Sequence, residues 1–278
     1  MINVLLTILL SVSIAAILKV TELKHSNRMV IIGTNYIVAA LILAIFLMIK
    51  KDFTFSLSTL LLGLVGGVTF PLGFYLITRA IGEMGISVSV SVMRLSVVIP
   101  TFGSIFIWSE IPNTYQYFGI GLTLIAIVLL SNFSFVRDKR SAHWLLALSV
   151  FCVLGFNDFL MKIFDSLRPL SEKNPFMFVL FGFSGVVSWV FILQQKIPVH
   201  RPEIGWGSLL GIPNLFTTFF FILALKQLPG VEVFPMVNIG IILLSILLGT
   251  FIWHEKLTLR EWLGFVLAIS AVALLNAA

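Results

Sequence analysis

With 59% apolar residues, 11% charged residues and a mean hydropathy of +1.10, this chain of 278 residues has too little polar surface to coat a globule in water. Its net charge of +6 is scattered over short segments and forms no basic stripe or arm, so nucleic acid is not an indicated partner. A lone cysteine, Cys152, excludes an internal disulfide and reads as a packing thiol buried within an apolar run.

A spanning helix needs about 20 predominantly apolar residues. Measured against that length, the apolar runs predict spans near 2–19, 29–49, 55–79, 86–108 and 113–132, then 144–164, 175–194, 205–226, 231–253 and 259–276. Runs of this length fit helices, whereas barrel strands would be about half as long with alternating polarity. The first span starts at Ile2 with no basic region before it and no small-residue cleavage site after it, which reads as a retained helix rather than a signal peptide. Along the chain, Gly63 and Gly67 form a G-x-x-x-G pair in the third span, and Gly207 and Gly211 repeat it in the eighth; small residues at this spacing let helix backbones approach closely. Pro71, Pro100, Pro213 and Pro235 fall inside apolar runs and predict kinks or short unwound segments.

The ten runs form two sets of five. Phe106-Ile107-Trp108-Ser109-Glu110 returns 145 residues later as Phe251-Ile252-Trp253-His254-Glu255, and in the same register Gly85 falls on Gly230, Gly119 on Gly264, Ala126 on Ala271 and Leu129-Leu130 on Leu274-Leu275. The repeats are residues 1–133 and 144–278, joined by the polar linker 134–143, and together they make one all-α integral membrane domain. Because five is odd, the second repeat is inverted relative to the first, an arrangement common among secondary transporters.

An apolar helix ending in Trp-x-Glu, with a glycine nine residues beyond the glutamate, occurs in both halves as Trp108, Glu110, Gly119 and Trp253, Glu255, Gly264. On these residues the chain resembles the EamA-like family of the drug/metabolite transporter superfamily over essentially its whole length. The resemblance implies transport of small metabolites or drugs. It further implies that the first four helices of each half surround a central pathway, while the fifth and tenth are peripheral. Fold likeness alone does not fix a substrate.

Features shared by both halves read as scaffold, and polar residues confined to one half read as specificity. Trp108, Glu110, Trp253 and Glu255 are shared and sit at helix ends beside the aromatic belt formed with Trp144, Trp206 and Trp262, so they read as structural. Arg94 lies within the fourth span opposite Ile239. Arginine at the centre of a membrane helix costs about 2.5–3.5 kcal/mol on insertion scales, so it must face a wet cavity or a partner. Ser87, Ser91, Arg94 and Thr101 recur at helical spacing as one polar stripe. Asp158, beside Asn157 in the sixth span, aligns with Ala15 when Lys162 is matched to Lys19. It can carry a proton, bind a cation, neutralise Arg94, or pair locally with Lys162 one turn away. Asn35, Asn214 and Asn238 add amides that either ligate substrate or bridge helices, since unpaired amides are costly in lipid.

The expected function is secondary-active transport of a small polar metabolite, amino-acid-like or another small anion or zwitterion, by alternating access. The substrate-binding candidates are Arg94, Asp158, Asn157, Asn35, Asn214, Asn238 and Ser91. A multidrug or sugar-derivative exporter of the same fold, or a membrane channel or sensor, is the alternative. No catalytic constellation is evident: His25, His143, His200 and His254 fall in loops or at helix ends without metal-ligand spacing, and no phosphate-binding G-x-x-x-x-G-K-[ST] loop is present. No metal or cofactor is expected, and the chain itself is not expected to be an enzyme. The expected partners are the substrate, the lipid bilayer and a coupling proton or ion, with a monomer sufficient and a dimer compatible. The expected location is a bacterial inner membrane, crossed many times. Segments after odd-numbered spans hold 11 Lys/Arg against 6 after even-numbered ones, with Arg94 excluded. By the positive-inside rule both termini then lie outside. The family resemblance implies the reverse, and the charge rule is preferred here.

Overall fold

A computed structural model describes residues 1–24, 26–51, 55–130, 141–252 and 258–276. Trp253, His254 and Glu255, together with His25 and linker residues 134–140, lie outside the described residues. The described residues are mostly helical: α1 (Ile2–Leu23), α2 (Arg28–Lys50), α3 (Leu57–Met84), α4 (Ile86–Leu95), α5 (Val98–Trp108), α6 (Thr114–Leu130), α7 (Ser141–Leu167), α8 (Lys173–Gln194), α9 (Arg201–Gln227), α10 (Gly230–Ile252) and α11 (Leu259–Leu275). Among the described residues, eight segments are long and apolar enough to cross a bilayer, with α4 and α5 counted as one. Adding the 17-residue helices α6 and α11 completes ten spans in two five-helix repeats. The chain is a multi-pass integral membrane protein.

Helix boundaries follow local chemistry. Asn27 Oδ1 accepts the Met29 N–H at 3.0 Å and starts α2. Reciprocal bonds between Asn113 and Gln116, each 2.8 Å, start α6, and a capping box between Thr258 and Glu261 starts α11. Gly85, at φ 84°, turns the chain between α3 and α4 in a conformation that side chains resist.

The kink or unwound segment predicted from Pro100 is found in the fourth span, which is broken at Ser96–Val97. Pro100 has no N–H for the Ser96 carbonyl, and its ring would collide with that carbonyl in a regular helix. The Ile99 N–H reaches Ser96 O at 3.0 Å instead, and Val97 N–H reaches Arg94 O at 3.4 Å, so three-residue bonds replace four-residue ones. The Ser96 hydroxyl takes the Met93 carbonyl at 2.6 Å, a local bond that bends helices further. Pro71, Pro213 and Pro235 remain inside unbroken helices.

The chain forms two compact units that cut across the repeats. The first comprises residues 1–72 and 163–226, the second residues 73–162 and 227–278. In the first unit, a Cβ at Gly63 or Gly67 would lie 2.8 Å from Val179 or 2.6 Å from Phe183, so these glycines seat α3 against α8. A Cβ at Gly207 or Gly211 would lie 2.6 Å from the Ile31 carbonyl or 3.0 Å from the Asn35 carbonyl, which brings α9 onto the backbone of α2. Phe164 stacks on Phe176 at 4.1 Å in the same core.

The second unit holds α6 against α11, the fifth and tenth spans. A Cβ at Gly119 would meet Leu275 at 2.8 Å and one at Gly264 would meet Leu130 at 2.7 Å. Both pairs obey the 145-residue register, so the repeat is written into this contact. Cys152 departs from expectation: it is exposed, sharing a face of α7 with exposed Leu145 and Leu148 at spacings of seven and four. On a membrane helix such an outward stripe is ordinary, because lipid rather than water faces it.

Candidate functional site

The second unit assembles a charged site where α7 runs along the broken fourth span. Gly155 lets α7 approach the break, since a Cβ there would lie 2.8 Å from the Ser96 carbonyl and 2.6 Å from Ile99. One turn on, Phe159 fills the notch left by Gly103 and meets the edge of Trp108 at 5.3 Å. Asp158, adjacent to Phe159, is in charge–charge interaction with Arg94, which stands two residues before the break. Both side chains are half-buried, and neither makes a direct ion pair within 4 Å among the described residues. A loosely coupled pair keeps donors and an acceptor available to a ligand, whereas a closed bidentate pair would consume them.

The local pair between Asp158 and Lys162, one of the readings allowed by sequence, is not formed. Lys162 Nζ contacts Glu110 Oε1 at 2.7 Å, with side chains only 7% and 16% exposed. Glu110 Oε2 also accepts the Val231 N–H at 3.0 Å, capping α10 in its first turn where the helix dipole favours a negative charge. Next to it, Gln116 Nε2 donates to Glu232 Oε1 at 2.7 Å. Glu110 is thus more than a belt residue at the water surface: it ties α7, the end of α5 and the start of α10 into one latch. Glu255 and Gly85 stand 145 residues from Glu110 and Gly230, and Lys19 stands 143 from Lys162, so the residue types of this latch recur in both halves with a two-residue shift at the lysine. That duplication was the signal from which Lys162 was recoverable.

Gly230 is required at the latch. A Cβ there would stand 2.3 Å from Ser104 Oγ and 2.9 Å from Phe234. Gly230→Ala is expected to cost about 1–3 kcal/mol through overpacking. In detergent the Tm of Gly230→Ala should fall, and adding Ser104→Ala should restore part of it; an unchanged Tm in the single variant would refute the close approach.

The remaining candidates separate. Asn157 is buried, and its Nδ2 would lie 3.0 Å from a Cβ placed at Gly73 in the second half of α3. Ser91 is fully buried three residues before Arg94, and Asn238 Nδ2 is 3.4 Å from the carbonyl of Phe234 one turn back. These three belong to the unit of Arg94 and Asp158. Thr101 Oγ and Ser104 Oγ, one turn apart on α5, are buried without a hydrogen-bond partner among the described residues. Asn35 and Asn214 belong to the other unit and bond each other, Nδ2 of Asn214 donating to Asn35 Oδ1 at 2.9 Å. Of the two roles open to these amides, this one bridges α2 and α9. Ile239, the repeat partner of Arg94, is fully buried in unbroken α10, so the asymmetry extends from residue type to backbone.

Ten helical spans in two repeats, the fourth broken and holding Arg94 and the sixth holding Asp158, define a multi-pass membrane protein. The model of the EamA-like transporter family matches residues 1–132 and again 140–277, and the chain belongs to that family. An uncharacterized protein of Haemophilus influenzae is 25% identical over 97% of this chain and 96% of its own length. A short protein of an Enterobacter species, described as a probable 4-amino-4-deoxy-L-arabinose-phosphoundecaprenol flippase subunit ArnE, is 30% identical over 105 residues, which cover 36% of this chain and 97% of that protein. One solved crystal structure superposes with a TM-score of 0.80 at 13% identity, covering 99% of this chain and 95% of that one, a likeness in fold.

Proposed function

We propose that the chain carries a small anionic or zwitterionic metabolite across a bacterial inner membrane by alternating access, without chemical conversion, coupled to a gradient or to exchange. The supporting observation is the half-buried Arg94–Asp158 couple beside the break of the fourth span, present in one repeat only. In this reading Arg94 binds an acidic group of the solute and Asp158 its cationic group or the coupling proton. Ser91, Asn157 and Asn238 lie in the same unit to complete recognition. Asn35 and Asn214 contribute to recognition only if their mutual bond opens during the cycle. The bacterial relatives support the inner membrane as the location.

A sugar joined through phosphate to a lipid carrier is the second reading, favoured by the description of the Enterobacter relative, with sugar phosphates as soluble probes of its head group. The two readings separate in a thermal-unfolding screen of the purified protein against amino acids, organic acids, sugar phosphates and cationic drugs, because a ligand of the native state raises apparent stability. Amino or organic acids are expected to raise the Tm saturably in the wild type and not in Arg94→Gln. A response confined to sugar phosphates selects the second reading, and one confined to cationic drugs contradicts both.

A further inference from the structure

The first unit contains a second cation that the Arg94 site does not use. Lys173 is the first residue of α8, one turn from the end of its span, where lysines ordinarily extend their ammonium toward water. It turns inward instead: the residue is 6% exposed, and Nζ lies 3.3 Å from the centroid of the Phe219 ring on α9. Phe219 is held edge-on to Phe220 at 5.3 Å and to Phe216 at 6.4 Å, so the ring is a fixed platform. A cation over an aromatic face is favourable, yet that contact satisfies none of the three N–H donors of the ammonium.

No acceptor for those donors is found among the described residues. The neighbouring carboxylate, Glu172, is committed to Arg168, Ser56 and Thr59, with Ser56 Oγ donating at 2.6 Å and Arg168 Nε at 3.2 Å. Asp165 faces Lys226, 3.9 Å away. Lys173 also stands at the positive end of the α8 dipole, where a cation is disfavoured and an anion favoured. The described residues place no carboxylate within ion-pair distance of this ammonium, which leaves its donors open to an anion. Lys226 lies seven residues beyond Phe219 on the same face of α9 and is 45% exposed, so its ammonium, loosely opposed by Asp165 at 3.9 Å, stands between this platform and water.

We propose that Lys173, resting on Phe219, anchors a binding site for a carboxylate or phosphate group, with Lys226 drawing the anion in. The chemistry suits either a soluble anion or an anionic lipid headgroup. This site is independent of the Arg94 reading and can fail or succeed without it.

The test uses the full chain in nanodiscs of phosphatidylcholine, with thermal unfolding followed by tryptophan fluorescence in sodium phosphate, sodium acetate and sodium chloride at matched ionic strength. A parallel set uses discs containing phosphatidylglycerol. The expected result is a saturable rise in Tm over chloride of about 2–4 °C or more, lost in Lys173→Gln and weakened in Lys226→Gln. A rise with phosphate or acetate in phosphatidylcholine discs assigns a soluble anion; a rise only with phosphatidylglycerol assigns a lipid headgroup. Should Lys173→Gln fail to fold, protection of wild-type Lys173 from acetylation by the same anions, read by mass spectrometry, takes its place. No anion-specific rise in the wild type in either disc, or an undiminished rise in Lys173→Gln, overturns the proposal.

Discussion

Arg94→Gln is expected to reduce transport at least 10–100-fold while leaving the protein folded. Hydrogen bonds to charged groups contribute about 1.5–3 kcal/mol, and each 1.4 kcal/mol is tenfold. Asp158→Asn should behave differently. It leaves Arg94 half-buried without its opposing charge, and an uncompensated buried charge costs about 3–5 kcal/mol in the limit of a tight pair, less for this looser one. The single Asp158→Asn variant should therefore lose stability, and Arg94→Gln/Asp158→Asn should regain it without regaining transport. Thermal unfolding and uptake measured on all four members of the cycle separate the two effects. If the double variant transports normally, the couple is scaffold. If Asp158→Asn transports normally while Arg94→Gln does not, the aspartate is not part of recognition or coupling.

The second large effect is expected at Glu110. Glu110→Ala removes the partner of Lys162, whose side chain is 7% exposed, and uncaps α10 at Val231. Loss of one member of a buried pair costs about 3–5 kcal/mol, with about 1 kcal/mol more for the cap. Glu110→Gln keeps the acceptor for the Val231 N–H while removing the charge, so it should fall between wild type and Glu110→Ala. Exchanging the charges in Glu110→Lys/Lys162→Glu should recover the ion pair but not the cap, because an ammonium cannot accept the Val231 N–H. Equal Tm values for Glu110→Ala and wild type would refute the latch.

Much of the architecture was legible because lipid demands long apolar helices, and few other patterns produce ten such runs with a duplicated Trp-x-Glu ending. The glycine register was legible for the same reason: Gly119 and Gly264 meet Leu275 and Leu130, residues already matched by the repeat. The break in the fourth span was only partly legible. Four prolines were candidates, and only Pro100 acts together with a serine at its i−4 position that already bonds backwards along the helix.

The site was harder to read. Arg94 and Asp158 stood out as lone charges at membrane depth, and their interaction followed from the fold. The partner of Lys162 did not follow, because a lysine one turn from an aspartate looks locally paired, while Glu110 approaches only once α7 lies along α5. Asn35 and Asn214 are 179 residues apart, and nothing in their spacing announced a mutual bond. Lys173 carries no signal in the sequence, since a lysine at a helix end is ordinarily solvated, and its inward rotamer over Phe219 is what marks it.

The claim that Arg94 recognises the carried solute is tested most directly by counterflow. Proteoliposomes loaded with an unlabelled solute that stabilises the purified protein are diluted into a trace of the labelled solute. The account predicts a transient accumulation of label in wild-type vesicles, saturable in the external solute and absent from vesicles containing folded Arg94→Gln. An undiminished transient in Arg94→Gln, or a non-saturating flux without counterflow in the wild type, would contradict it.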